Sequence, residues 1–155
     1  MPEDRNQLRV RLVTPERTLF ESAAEAVELP AKNGYMEVLY GAAPLMAELG
    51  AGDVTIHSTA GGAADAAKGS EAAATPAQTR YNVSWGFAEV LPDRVTILAN
   101  DALKPEEIDV QRAEQQLERG QKMWNEAGES EAAYDEALRV IAEAEAKISS
   151  ASERR

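Results

Sequence analysis

Through roughly the first hundred positions apolar residues alternate with polar ones; beyond that they recur every three or four. Leu8, Val10 and Leu12 share one side of an extended segment, with Arg9 and Arg11 on the other. Residues 14–17 (TPER) read as a turn, because proline fixes its φ and cannot continue a central strand. Leu19 and Phe20 begin a second strand and residues 24–29 form a third, followed by a turn at 30–34. Another turn is predicted at 49–53 (LGAGD), ahead of a strand carrying Val54 and Ile56. Val83, Trp85 and Phe87 fall on one side of the next strand and Ala88 and Val90 on the other, and Gly86 between them predicts a bulge. Residues 91–94 turn the chain into a strand on which Val95, Ile97 and Ala99 alternate.

The period then changes. Pro105, Glu106 and Glu107 read as a helix start, since proline fits the first turn and carboxylates favour the positive dipole end. Val110, Ala113, Leu117, Gly120 and Trp124 follow at steps of three and four, an amphipathic helix with a narrow, small-residue seam. Gly128 ends that helix and Ser130 caps the next, on which Ala137, Ile141, Ala144, Ile148 and Ala151 repeat. So short a break between long helices predicts an antiparallel hairpin. The division expected is a β domain over 1–104 and a helical hairpin over 105–155. Periodicity leaves the β domain as either an antiparallel sandwich or a barrel.

Residues 59–79 stand apart. They hold nine alanines, three glycines and no large apolar side chain, too little to offset ordering entropy, and read as a flexible insertion between strands.

Composition narrows the function classes. With 27 acids against 16 bases the net charge is -11, which argues against nucleic acid or an anionic membrane surface as a direct partner. No cysteine is present, so disulfides and thiolate chemistry are excluded, and no apolar run is long enough to span a bilayer. A cytoplasmic location is expected, with any membrane association made through a partner. The single histidine, His57, reads as an exposed strand residue, and Ser70 and Ser84 lack the partners of an activated nucleophile. Asp101, Glu106, Glu107 and Asp109 read as solvated acids and dipole complement rather than a metal site. No phosphate-cradling glycine loop is found. No catalytic residue, metal or cofactor is therefore expected.

Several weak motifs, in order and spacing, resemble one family. VSWGFAEV at 83–90 is similar to the V-S-G-G-F-x-E-V segment of the epsilon subunits of F-type, proton-translocating ATP synthases, with Trp85 in place of the first glycine of the pair. GYMEVLYGAAPL at 34–45 resembles that family's G-x-x-G-I-L-P-G-H-A-P-L, with Glu37, Tyr40 and Ala42 replacing its second glycine, first proline and histidine. Ile108-Asp109-Val110-Gln111-Arg112-Ala113 matches its I/L-D-x-x-R-A helix opening. The resemblance implies a flattened β-sandwich followed by a helical hairpin. It implies a non-catalytic rotor subunit that meets the central-stalk gamma subunit and the membrane c-ring, and through the hairpin the alpha and beta catalytic subunits, where it restrains ATP hydrolysis. Membrane association would come only through the complex, at the cytoplasmic side of a bacterial plasma membrane. Glu37, Tyr40, Gly41 and Ala42 are then the expected ring-docking residues. Asp109, Arg112 and Arg119 are candidate ATP contacts, expected to be poor. Glu143 and Lys147 stand where nucleotide-binding members bring arginines, and Leu103 where an acid precedes the motif. Pairing of Arg112 and Arg119 with acids such as Glu106 and Glu118 is the plainer expectation. Two other readings stay open on the residues alone: a stand-alone sandwich adaptor with a helical dimerisation tail, and a nucleotide-sensing module.

Overall fold

The computed structural model describes residues 6–58 and 78–153. Seven strands precede two helices: β1 (Leu8–Val13), β2 (Thr18–Ala24), β3 (Ala26–Ala31), β4 (Gly34–Leu39), β5 (Leu45–His57), β6 (Gln78–Leu91), β7 (Arg94–Leu103), α1 (Val110–Glu126) and α2 (Glu131–Ser152). The strands form one sheet in the order β2-β1-β7-β6-β5-β3-β4. All pairings are antiparallel except β1 with β7, where Val10 lies opposite Val95. The sheet doubles over on itself. Leu8, Val10 and Leu12 from one end and Val27, Leu29 and Val38 from the other bury in the same cluster as Ile56, Val83 and Ile97. This is a β-sandwich carrying a C-terminal helical hairpin, the expected fold class.

The folding line is visible in the register. Leu49, Gly86 and Ala99 lie side by side in one row of β5, β6 and β7, and Ala51, Ser84 and Asp101 in another. Pleating puts residues two apart on the same face. Here Leu49 and Ala99 point into the core while Asp101 is exposed and Ser84, though buried, belongs with Asn82 to the opposite parity of β6 from core residues Tyr81 and Val83. Core parity changes in all three strands across the intervening row of Gly50, Trp85 and Asn100. Trp85 there takes φ 55 and Gly86 φ 136. A side chain at Gly86 would put its Cβ 2.0 Å from the Leu98 carbonyl oxygen, so only glycine lets β7 lie this close.

Four expectations for the sheet need correction. The predicted turn at 49–53 is absent, because β5 runs unbroken through it; Gly52 serves close approach, a Cβ there falling 2.6 Å from the Tyr35 hydroxyl. The face change at Gly86 is not a register-slipping bulge, since the pairings of β6 with both neighbours keep step across it. Phe87 faces outward, away from the core side held by Val83. The turn at 30–34 is tighter than expected: Pro30 and Ala31 remain in β3, and proline's missing N–H falls where the β3–β5 register is interrupted. The insertion at 59–79 lies outside the described residues, apart from Gln78 and Thr79, which belong to β6.

The hairpin follows its sequence pattern. Ser130 Oγ accepts from Ala133 N, 3.3 Å away, and Gly128 takes φ 61 between the helices. Ala113, Gly120, Ala137, Ala144 and Ala151 are buried, which lets the helix backbones approach closely. Trp124 and Tyr134 pack edge to face beside the connection between the helices, centroids 4.9 Å apart. The helix start differs from expectation. Pro105–Glu107 is a separate short turn, in which Glu107 accepts from Lys104 N at 2.9 Å, and α1 begins only after Asp109, whose carboxylate caps Arg112 N at 3.1 Å. The first-turn acids expected there belong to that preceding turn.

Candidate functional site

Two places gather the residues singled out by sequence. The first is the connection between β4 and β5. Gly41 takes φ 85 and its N–H donates to the Pro92 carbonyl, tying this loop to the β6–β7 turn. Ala42 N donates back to Leu39 O at 3.2 Å. This short, backbone-held loop leaves Tyr40 45% exposed, and beside it Leu39, Leu45 and Met46 are exposed as well. Glu37 is exposed on β4, while Ala42 packs partly against the core. A cluster of apolar and aromatic side chains on a rigid end of a domain is the composition of an interaction surface, and of these four only Tyr40 is among the contact residues the sequence motif implies. The alternation signal could have found Leu45 and Met46, since consecutive apolar residues at a strand start cannot both face the core.

The second place lies beneath the hairpin. Asp109, which caps α1, and Arg112 and Arg119 of α1 line a cleft of about 690 Å³, together with Asp101 and Leu103 from β7 and Lys147 from α2. The structure thus brings together the helix-motif residues and Lys147. Each has a different state. Asp109 is committed to capping its own helix. Arg112 and Arg119 make no ion pair among the described residues, so the expected pairing with Glu106 and Glu118 is not found. Lys147 Nζ sits 3.0 Å from Glu143 Oε1 and 4.0 Å from Asp101, so its charge is already answered by two carboxylates.

The hairpin is docked on the sandwich, and its contacts are mostly polar. Asn82, buried on the outer face of β6, donates to Asp53 Oδ1 at 3.0 Å and to the Ala146 carbonyl of α2 at 3.3 Å. Arg80 reaches both Asp53 and Glu153, just beyond α2. Trp85 Nε1 points to Glu143 Oε2 at 3.5 Å, and the Arg139 guanidinium lies 4.7 Å from the Trp85 ring centroid. Elsewhere, His57 is half-buried rather than free, with Nε2 3.3 Å from Glu28 Oε2. Ser84 is buried in β6; Ser70 lies outside the described residues. Tyr81 donates to the Leu19 carbonyl, and burial, with the Glu107 carboxylate adding to it, raises its phenol above the usual range. No helix of the described residues is long and apolar enough to cross a membrane.

Comparison with known proteins agrees with this architecture. Residues 7–105 match the family model described as ATP synthase, Delta/Epsilon chain, beta-sandwich domain. The ATP synthase epsilon chain of Solibacter usitatus is 37% identical over 146 residues, 93% of this chain and 95% of its own. That of Koribacter versatilis is 39% identical over 118 residues, covering 76% of this chain and 71% of the relative. Among solved structures, a chain of the Euglena gracilis mitochondrial ATP synthase, determined as an OSCP/F1/c-ring assembly, shares the fold with a TM-score of 0.69 at 21% identity, over 91% of this chain and 79% of that one. With the whole sheet matched by one family and relatives following the sequence into and through the hairpin, the chain belongs to the ATP synthase epsilon chain family.

Proposed function

We propose that this chain acts as a non-catalytic rotor subunit of an F-type ATP synthase, joining the central-stalk gamma subunit to the membrane c-ring at the cytoplasmic face of a bacterial plasma membrane. The observation that carries this reading is the match of family along both the sandwich and the hairpin. The exposed tip at the β4–β5 loop supplies a docking place. Tyr40 offers a large apolar body with one hydroxyl, suited to a polar ring loop, and Glu37 and the Gly41–Ala42 backbone stand beside it. Tyr40→Ala is expected to weaken coupling in reconstituted complexes. Proton-driven ATP synthesis at the parental rate would count against the reading.

The cleft favours a second, negative statement. ATP binds there weakly, with Kd above about 100 μM, or roughly -5.5 kcal/mol. Arg112 and Arg119 are available, but Lys147 is neutralised by Glu143 and Asp101, and Lys lacks the bidentate fork of Arg. Equilibrium dialysis with ATP decides this, and saturable binding below that concentration overturns it. α2 itself carries five acids against two bases, so electrostatics oppose any restraint of hydrolysis that needs a basic helix to insert among the catalytic subunits.

A further inference from the structure

The one non-glycine residue with positive φ among those described is Trp85, a large aromatic in a conformation that strains any residue with a Cβ. It sits in the middle of β6, in the row where three strands change their core parity, and no turn or loop requires its backbone to be left-handed there. Its side chain leaves the line of Tyr81 and Val83, which point into the core, and meets α2 instead. Arg139 stacks over the indole and Glu143 receives the indole N–H. Strain held in place by specific contacts is an observation from which function can be inferred.

The surroundings give that contact its weight. The hairpin buries alanine and glycine in its own seam, where Gly120 meets Val140 and Ile141, so much of its apolar burial lies between the two helices. Against the sheet it offers mainly polar and ionic contacts: Asn82 to Ala146, Lys147 near Asp101, and Arg80 to Glu153. Such contacts exchange readily with water and are screened by salt. Trp85 with Arg139 is the aromatic anchor in that seam, half-buried in a cleft it shares with Leu138 and Ala142 of α2.

We propose that Trp85 is a clasp that holds the helical hairpin down on the sandwich, with Arg139 and Glu143 as its partners on α2. Trp85 stands where the motif that residues 83–90 resemble has glycine, so a strand of this kind does not itself call for an indole there. Removing it relaxes the strand and frees the hairpin at the same time, two effects of opposite sign on two parts of one molecule. The clasp is a property of the isolated chain and holds whether or not the rotor assignment is correct.

The test measures the distance between sandwich and hairpin directly. The chain has no cysteine, so spin labels attach only at introduced Glu89→Cys and Glu136→Cys, both exposed positions, one on β6 and one on α2. The parent should give one narrow distance distribution. Trp85→Gly should add a second, longer population while circular dichroism of the strands is retained. Arg139→Ala, on the exposed surface of α2, should raise the undocked share by about two- to fivefold, the factor carried by one cation–π contact. Trp85→Phe, which keeps a ring for Arg139 but loses the N–H, should fall between parent and Trp85→Gly. High salt should broaden the Trp85→Gly distribution more than the parental one. Distributions for Trp85→Gly and Arg139→Ala that superimpose on the parent overturn the proposal, as does a parent that is already evenly divided.

Discussion

Gly86 and Gly34 make a controlled pair. Their φ angles are nearly the same, 136 and 133, a region that alanine enters only under strain. Their surroundings differ. An added Cβ at Gly34 meets nothing within 4 Å, whereas at Gly86 it lands 2.0 Å from Leu98 O and 3.0 Å from Ala99 Cα. Both neighbours are backbone of the paired strand β7, so relief requires β6 and β7 to part. Backbone strain alone is worth about 1–3 kcal/mol, and forced overpacking adds about 1–3 more. Gly34→Ala should therefore cost only the first term, and Gly86→Ala about 2–6 kcal/mol in all. At roughly 2–4 °C per kcal/mol for a chain of this size, Gly86→Ala should melt about 2–12 °C below Gly34→Ala. Thermal unfolding followed by circular dichroism at the β-sheet band measures both. Equal midpoints for the two variants would refute the close-approach argument and leave conformational strain as the whole effect.

Gly120→Val should open the hairpin: even a Cβ at Gly120 falls 2.7 Å from Ile141 Cγ1 and 3.2 Å from the Ile141 backbone nitrogen, and the overpacking should cost about 1–3 kcal/mol, read as increased solvent quenching of Trp124 fluorescence. A chain cut after Lys104 keeps every strand and the core cluster; it should give a β-rich spectrum and a cooperative melt, and loss of cooperativity would show that the sandwich needs the hairpin. Tyr81 has a raised pKa when folded, so the folded state holds its proton more tightly than the unfolded one. Its contribution is complete below the ordinary phenol range and is lost as pH rises through the folded value. Stability should therefore fall above about pH 10, and Tyr81→Phe should make that fall shallower; identical slopes would contradict it.

Much of this architecture could be read from local pattern. β1, the first half of β7 through Ala99, and both helices follow it closely, because each of these stretches faces one environment throughout. The misreadings fall where one element crosses between environments. Gly50 and Gly52 look like turn residues locally, yet both lie within β5, and Gly52 lets it pass under Pro30 and Tyr35, residues brought there by β3 and β4. Parity groups Phe87 with Val83, and parity fails at Trp85 because its left-handed backbone resets the pleat. The β4–β5 loop is marked by its motif, but the exposure of Leu39, Leu45 and Met46 around Tyr40 depends on how β4, β5 and the β6–β7 turn meet. In the cleft, the motif placed Asp109, Arg112 and Arg119 on one helix. The Lys147–Glu143 pair is an i,i+4 contact within α2 and follows from the sequence, whereas the contact of Lys147 with Asp101 needed the hairpin to be seated on β7.

The parallel pairing of β1 with β7 sets an order of events during synthesis. Val10 must wait for Val95, 85 positions later in the chain (95 − 10), which at ribosomal speed is roughly 4–17 s. Until then β1 has only β2 beside it, and a two-stranded ribbon is marginal in water. Leu8, Val10 and Leu12, fully buried at the end, are thus on view throughout the translation of the sheet, a natural target for a chaperone at the ribosome exit. β5, β6 and β7 meander as neighbouring antiparallel strands and can zip as they emerge. The first strand made is therefore among the last to be secured, and the hairpin, translated after it, arrives at a sheet that has just closed.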